Sequence, residues 1–140
     1  MPSATQTPAR GKITAIQDGL VTFNPANTNY ELRLRVAPGF TAPLNTPVDV
    51  VIRVKARKVW TVPSGGAFIS PIAGPPKTIQ GRLRQASDTE LVIHAGTTIV
   101  ATLHPTDTAV ELPDGPMSAL NNLVNVTAYP GGTLELVAAV

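Results

Sequence analysis

Three stretches of this chain alternate apolar and polar residues with a period of two. YELRLRV sets Tyr30, Leu32, Leu34 and Val36 against Glu31, Arg33 and Arg35. VDVVIRVK sets Val48, Val50, Ile52 and Val54 against Asp49, Arg53 and Lys55. IQGRLR sets Ile79 and Leu83 against Gln80, Arg82 and Arg84. In a strand, successive side chains point to opposite faces, so each stretch reads as a half-buried antiparallel strand. Further strands are predicted over 11–17, 20–24, 58–62, 90–94, 98–104, 108–112, 123–129 and 133–138. Asp18-Gly19 between two such runs reads as a tight hairpin turn. Asp114-Gly115-Pro116 reads as a turn opening one helical turn through Ala119 and Leu120. No other segment argues for helix.

Composition agrees. Only 14% of the 140 residues are charged and 4% are aromatic, against about 25% charged in an average domain. The core must therefore come mainly from Val, Leu, Ile and Ala. Fourteen prolines oppose helix, because proline lacks the N–H that a helix interior needs. The absence of cysteine excludes disulfides, thiolate metal sites and a cysteine nucleophile. The opening MPSATQTPARGK has no apolar core of a signal peptide, and no run approaches the roughly 18 apolar residues of a membrane helix. These features lead us to expect a soluble protein that is not secreted by the usual route, with residues 1–10 as a flexible arm.

The chain repeats itself. GKITAIQDGLVTF (11–23) resembles GRLRQASDTELVIH (81–94), and LNTPVDVVI (44–52) resembles LNNLVNVTA (120–128). Two similar halves, 11–62 and 78–140, are then joined by 63–77. The expected fold is one all-β domain, an antiparallel sandwich or jelly roll. Two tandem barrels of oligonucleotide-binding type are the alternative. Charge divides along the same line. Residues 1–76 carry eight bases and three acids, a net of +5, and residues 77–140 carry three bases and six acids, a net of −3. Such a split can be complemented between copies, so a dimer is expected.

Residues that could carry chemistry do not fall into a working set. His94 and His104 with Asp88, Glu90 and Asp107 lack metal-ligand spacing. Ser3, Ser64, Ser70, Ser87 and Ser118 lie outside any G-x-S-x-G. PSGGA (63–67) lacks the following helix of a phosphate loop and reads as a turn. NVT (125–127) matches a glycosylation acceptor but reads as strand. The expectation is a non-enzyme without metal or cofactor. Arg53, Lys55, Arg57 and Lys58 with Trp60 make the mixture that single-strand binders use. The basic residues also fill the polar face of a strand, so nucleic acid is not the favoured partner.

One segment remains unexplained by this pattern. KVWTVPSGGAFISPIAGPPK (58–77) has no charge between its end lysines. It holds the only Trp, with four prolines and three glycines. It is either a stiff contact loop or a crossing that buries Trp60, Phe68 and Ile69 in the core. With the polar N-terminus, VPSGGAFISPIAGPP and the alternating strands, the chain resembles the small cement or decoration proteins of tailed-phage capsids. The resemblance implies a β protein on the outer surface of the virion, made in the host cytoplasm. It would bind the major capsid protein of the assembled shell and stabilise it. From the residues themselves, the expected contacts are Trp60, Phe68, Ile69 and Ile72. Arg33, Arg35, Arg53 and Arg57 are expected to face acidic patches.

Overall fold

A computed structural model describes residues 8–139. Among them are twelve strands and one 3-10 turn, Pro116–Ala119. The strands are β1 (Ala9–Gln17), β2 (Leu20–Pro25), β3 (Glu31–Arg35), β4 (Pro47–Thr61), β5 (Phe68–Ser70), β6 (Ala73–Gly74), β7 (Thr78–Ala86), β8 (Glu90–His94), β9 (Thr98–Thr102), β10 (Ala109–Glu111), β11 (Leu123–Ala128) and β12 (Thr133–Ala139). The all-β expectation holds.

Three details differ from the sequence reading. The strands expected at 48–55 and 58–62 are one strand, β4. The alternation lapses because Arg57 lies at a bulge: Thr127 and Ala128 pair with Lys58 and Ala56. Ala9 and Arg10, expected in a flexible arm, belong to β1. Ala9 is buried and pairs with Val50, and Arg10 forms an ion pair with Asp49 at 2.9 Å. Residues 1–7 of that arm lie outside the described residues. Finally, the sheet is mixed rather than wholly antiparallel. β3 runs parallel to β12 and β6, and β4 runs parallel to β9 and β10.

Two of the parallel pairs, β3 with β12 and β4 with β9, help close the sheet on itself twice. In the first ring β1 pairs with β2, β2 with β3, β3 with β12, β12 with β4, and β4 returns to β1. In the second, β7 pairs with β8, β8 with β9, β9 with β4, β4 with β11, and β11 returns to β7. The long strand β4 therefore serves as fourth strand of one ring and fifth strand of the other. β12, which follows the second ring's fourth strand, closes the first. The two halves exchange their fifth strands within one chain.

The repeat seen in the sequence is structural. β1 pairs with β4 as Ala9↔Val50 through Lys12↔Pro47, and β7 pairs with β11 as Ile79↔Val126 through Arg82↔Leu123. The first two strands of each half carry a bulge at the same place, between Ile13 and Ala15 and between Leu83 and Gln85. Asn45 and Asn121 both take a positive φ, 60° and 67°. Each then donates its backbone N–H to the bulged strand, to Ile13 O at 2.9 Å and Leu83 O at 2.7 Å. Gly11 and Gly81 also match. A Cβ on either would stand 2.3 Å from Asn24 O or 2.2 Å from His94 O, so the close strand approach admits only glycine.

One apolar cluster fills both rings, from Ile13, Phe23 and Leu32 to Ile79, Leu83 and Leu91. Fully burying an aliphatic side chain contributes about 1.5–3 kcal/mol, so a shared core ties the halves together strongly. Val51, Val92 and Val100 form a second, small cluster.

Candidate docking surface

The 58–77 segment buries some of its apolar residues and leaves others exposed. It crosses from β4 to β7 and lies against both rings. β5 pairs with β7 as Phe68↔Gln80, Ile69↔Ile79 and Ser70↔Thr78. β6 pairs with β3, and Glu31 N donates to Ile72 O at 2.8 Å. Side chains alternate even over these few residues. Ile69 is 2% exposed and lies in the core, so it cannot be the surface contact expected of it. Phe68 is 38% exposed and Ile72 63%.

Tyr30 completes the local structure. Its ring packs against the core, and its Oη accepts a hydrogen bond from Ile69 N at 3.0 Å. Tyr30 thereby pins β5 to the start of β3. The turn before it is held by Asn24 Nδ2, which donates to Thr28 O at 3.1 Å and Tyr30 O at 2.8 Å. The result is an open groove of about 630 Å³ whose lining includes Asn27, Thr28, Asn29, Tyr30, Phe68 and Ile72. It contains no charged residue.

Behind Phe68 runs a row of paired residues across four strands: Trp60↔Asn125, Asn125↔Gln80, Gln80↔Phe68. Directly paired residues share a face, so Trp60 and Phe68 lie on one face, roughly 14 Å apart at the usual strand spacing. Between them Asn125 Nδ2 donates to Gln80 Oε1 and Gln80 Nε2 donates to Gly66 O, both at 2.9 Å. This buried amide pair fastens the glycine turn to the sheet. Trp60 is half-buried beneath Lys58, whose Nζ is 5.2 Å from the ring centroid.

Most of the basic run is neutralised within the chain. Arg53 pairs with Glu135 and lies 3.9 Å from Glu90. Lys55 Nζ is 2.7 Å from Asp107 and 5.3 Å above the Tyr129 ring. Lys58 Nζ is 3.4 Å from Glu111. In all three pairs the base comes from the basic half and the acid from the acidic half. Part of the complementation that suggested a dimer is made between the halves of one molecule. Arg33, Arg35 and Arg57 are exposed, with no carboxylate within ion-pair distance among the described residues. The Lys55 ammonium, donating to Asp107, holds that carboxyl below its usual range. Arg10 does the same for Asp49.

The histidine–carboxylate set does not converge. Glu90 faces Arg53, while His104 Nδ1 lies 3.6 Å from the Asp107 carboxylate and caps a turn, accepting from the backbone N–H groups of Thr106 and Asp107 at 3.3 Å. Among the described residues no three His, Asp or Glu side chains converge as a metal site. No helix among them is long and apolar enough to cross a membrane. Comparison with family models, curated proteins and solved structures finds no match.

Of the eight expected contact residues, the fold gathers Phe68 and Ile72 at one groove with Ile69 beneath. Trp60 lies further along the same face. Arg33 and Arg35 sit on β3, which begins beside the groove, Arg57 is exposed on β4, and Arg53 is engaged with acids. Sequence reasoning missed Tyr30, Gln80 and Asn125. Tyr30 does sit at the boundary of an alternating strand and a turn, the one signal that could have singled it out.

Proposed function

We propose that this protein is a non-enzymatic structural subunit that docks on an assembled protein shell, as a capsid decoration protein does. The observation that carries the proposal is the Tyr30–Phe68–Ile72 groove. It is uncharged, more apolar than polar, and held in place by hydrogen bonds from both rings. Exposed apolar surface of this kind marks an interaction site. A surface already ordered loses little entropy on docking. Arg33 and Arg35 would meet acidic groups on the shell. A ligand that binds only the assembled state stabilises it by mass action.

The test is first genomic, whether a gene beside the protein's own encodes a major capsid subunit, and then co-sedimentation with heads assembled from that subunit. Retention by assembled heads at micromolar concentration, without binding to the free subunit, supports the reading. Failure to bind heads refutes it.

A second reading, a single-strand nucleic-acid module, is favoured by the ring order. Small Greek-key barrels of five strands use the face of their second and third strands to bind oligonucleotides. In the first ring that face carries Arg33 and Arg35 on β3. The neutralised run at Arg53–Lys58 and the meagre aromatic supply weigh against it. Salt-sensitive retention on single-stranded oligonucleotides would favour this reading over docking.

A further inference from the structure

We propose that β12 is an exchangeable closing strand, and that two copies of the chain trade it so that each copy closes the other's first ring. This inference is independent of the docking proposal.

β12 is weakly seated for a strand that completes a core. Of its described side chains only Leu134 is buried, while Leu136 is 36% and Val137 46% exposed. It pairs along its length with β4, from Thr133↔Arg53 to Ala139↔Val48. On its other edge it meets β3 only at Thr133↔Arg35. Beyond Thr133 that edge has no strand partner among the described residues. An open groove of about 570 Å³, lined by Val36, Phe40, Leu134 and Leu136 among others, lies beside it instead. A single buried side chain and one-sided pairing make a strand of lower stability than the core strands.

The corresponding strand of the second ring cannot leave in this way. It is the second half of β4, continuous with the first ring's fourth strand and buried at Val54, Ala56 and Val59. Only the first ring can open. The connector from β11 to β12 is Tyr129-Pro130-Gly131-Gly132, with Gly131 at φ +101°. A glycine pair gives the chain freedom to redirect the strand.

The occupant of a vacated β4 edge is specified by what it holds now. Its register takes Leu134 opposite Ile52 and Glu135 opposite Val51, with Arg53 ready to pair with Glu135. The β12 of a second copy restores each of these contacts. Because the interface is the same in both forms, the tether decides between them. A short linker gives an effective concentration of order millimolar, so the closed monomer dominates in dilute solution and exchange appears as protein approaches ~1 mM.

The chain contains no cysteine, which permits a direct test. One preparation carries Val51→Cys, a second Glu135→Cys, and the two are mixed under mild oxidation. These positions are cross-strand partners, close enough for a disulfide. A single exchanged strand brings the two cysteines together, whereas two closed monomers never do. The expected result is a disulfide-linked heterodimer, identified by mass, that accumulates as concentration rises toward ~1 mM. The double variant in one chain should close within itself at low concentration, which shows that the fold and the geometry survive. If the double variant closes while the mixture gives no heterodimer after days at ~1 mM, the proposal is overturned. A dimer by sedimentation that lacks this disulfide is edge-to-edge pairing and overturns it equally.

Discussion

Ile69 and Ile72 are three residues apart in the same uncharged segment, and truncating them should have opposite consequences. Ile69 is 2% exposed and packs against Ile79. Ile→Ala removes three carbon groups, worth about 0.8 kcal/mol each on burial. The cavity left behind raises the cost into the range of about 2–5 kcal/mol. Ile72 is 63% exposed, so the same truncation forfeits about a third of the transfer energy and leaves no cavity, under ~1 kcal/mol. For a chain of this size 1 kcal/mol corresponds to roughly 3–4 °C in Tm. Ile69→Ala should therefore lower the melting temperature by about 6–20 °C and Ile72→Ala by no more than about 4 °C, by circular dichroism under one buffer condition. Head binding should show the reverse order once measured below both melting points. Equal melting shifts would refute the assignment of core and surface within this segment. A stable Ile69→Ala would show that β5 is not packed as described.

Two further outcomes follow from particular contacts. Gly11→Ala and Gly81→Ala should both destabilise severely, by similar amounts, since each new Cβ meets a backbone carbonyl at 2.3 or 2.2 Å; a large effect at one and none at the other would break the equivalence of the halves. The pairing of Asp107 with Lys55 depresses the folded carboxyl's pKa, so its contribution is present above the unfolded pKa of about 4 and fades as pH falls through the folded value. Asp107→Asn should thus be slightly less stable than wild type in urea unfolding at pH 7, with the gap closing on acidification; a gap that widens toward pH 3 would contradict the pairing.

The strands were legible because period-two alternation is local, and one face of each strand is buried by the core. The duplication was legible through Gly11/Gly81 and Leu44-Asn45/Leu120-Asn121, residues whose backbone geometry restricts substitution. Ring closure was not, since nothing local tells that β4 runs on into the other half. Arg57 at its bulge even makes one strand resemble two. The basic run suggested a free patch because its acidic partners, Glu135, Asp107 and Glu111, lie 82, 52 and 53 positions away. Phe68 and Ile72 were visible as apolar residues in a stiff segment. Ile69 stayed undecided between core and contact because a three-residue strand is too short to declare its faces. Tyr30 was missed as a clamp because its partner, Ile69 N, is 39 residues distant.

The central claim, that the Tyr30–Phe68–Ile72 groove is a preformed docking surface, is tested most directly by one binding isotherm. Wild type and the Phe68→Ala/Ile72→Ala double variant are titrated against the assembled heads, below the melting temperature of both. Truncating central interface residues costs about 2 kcal/mol or more, so the account predicts at least a roughly thirtyfold loss of affinity. An unchanged affinity in the double variant would contradict it.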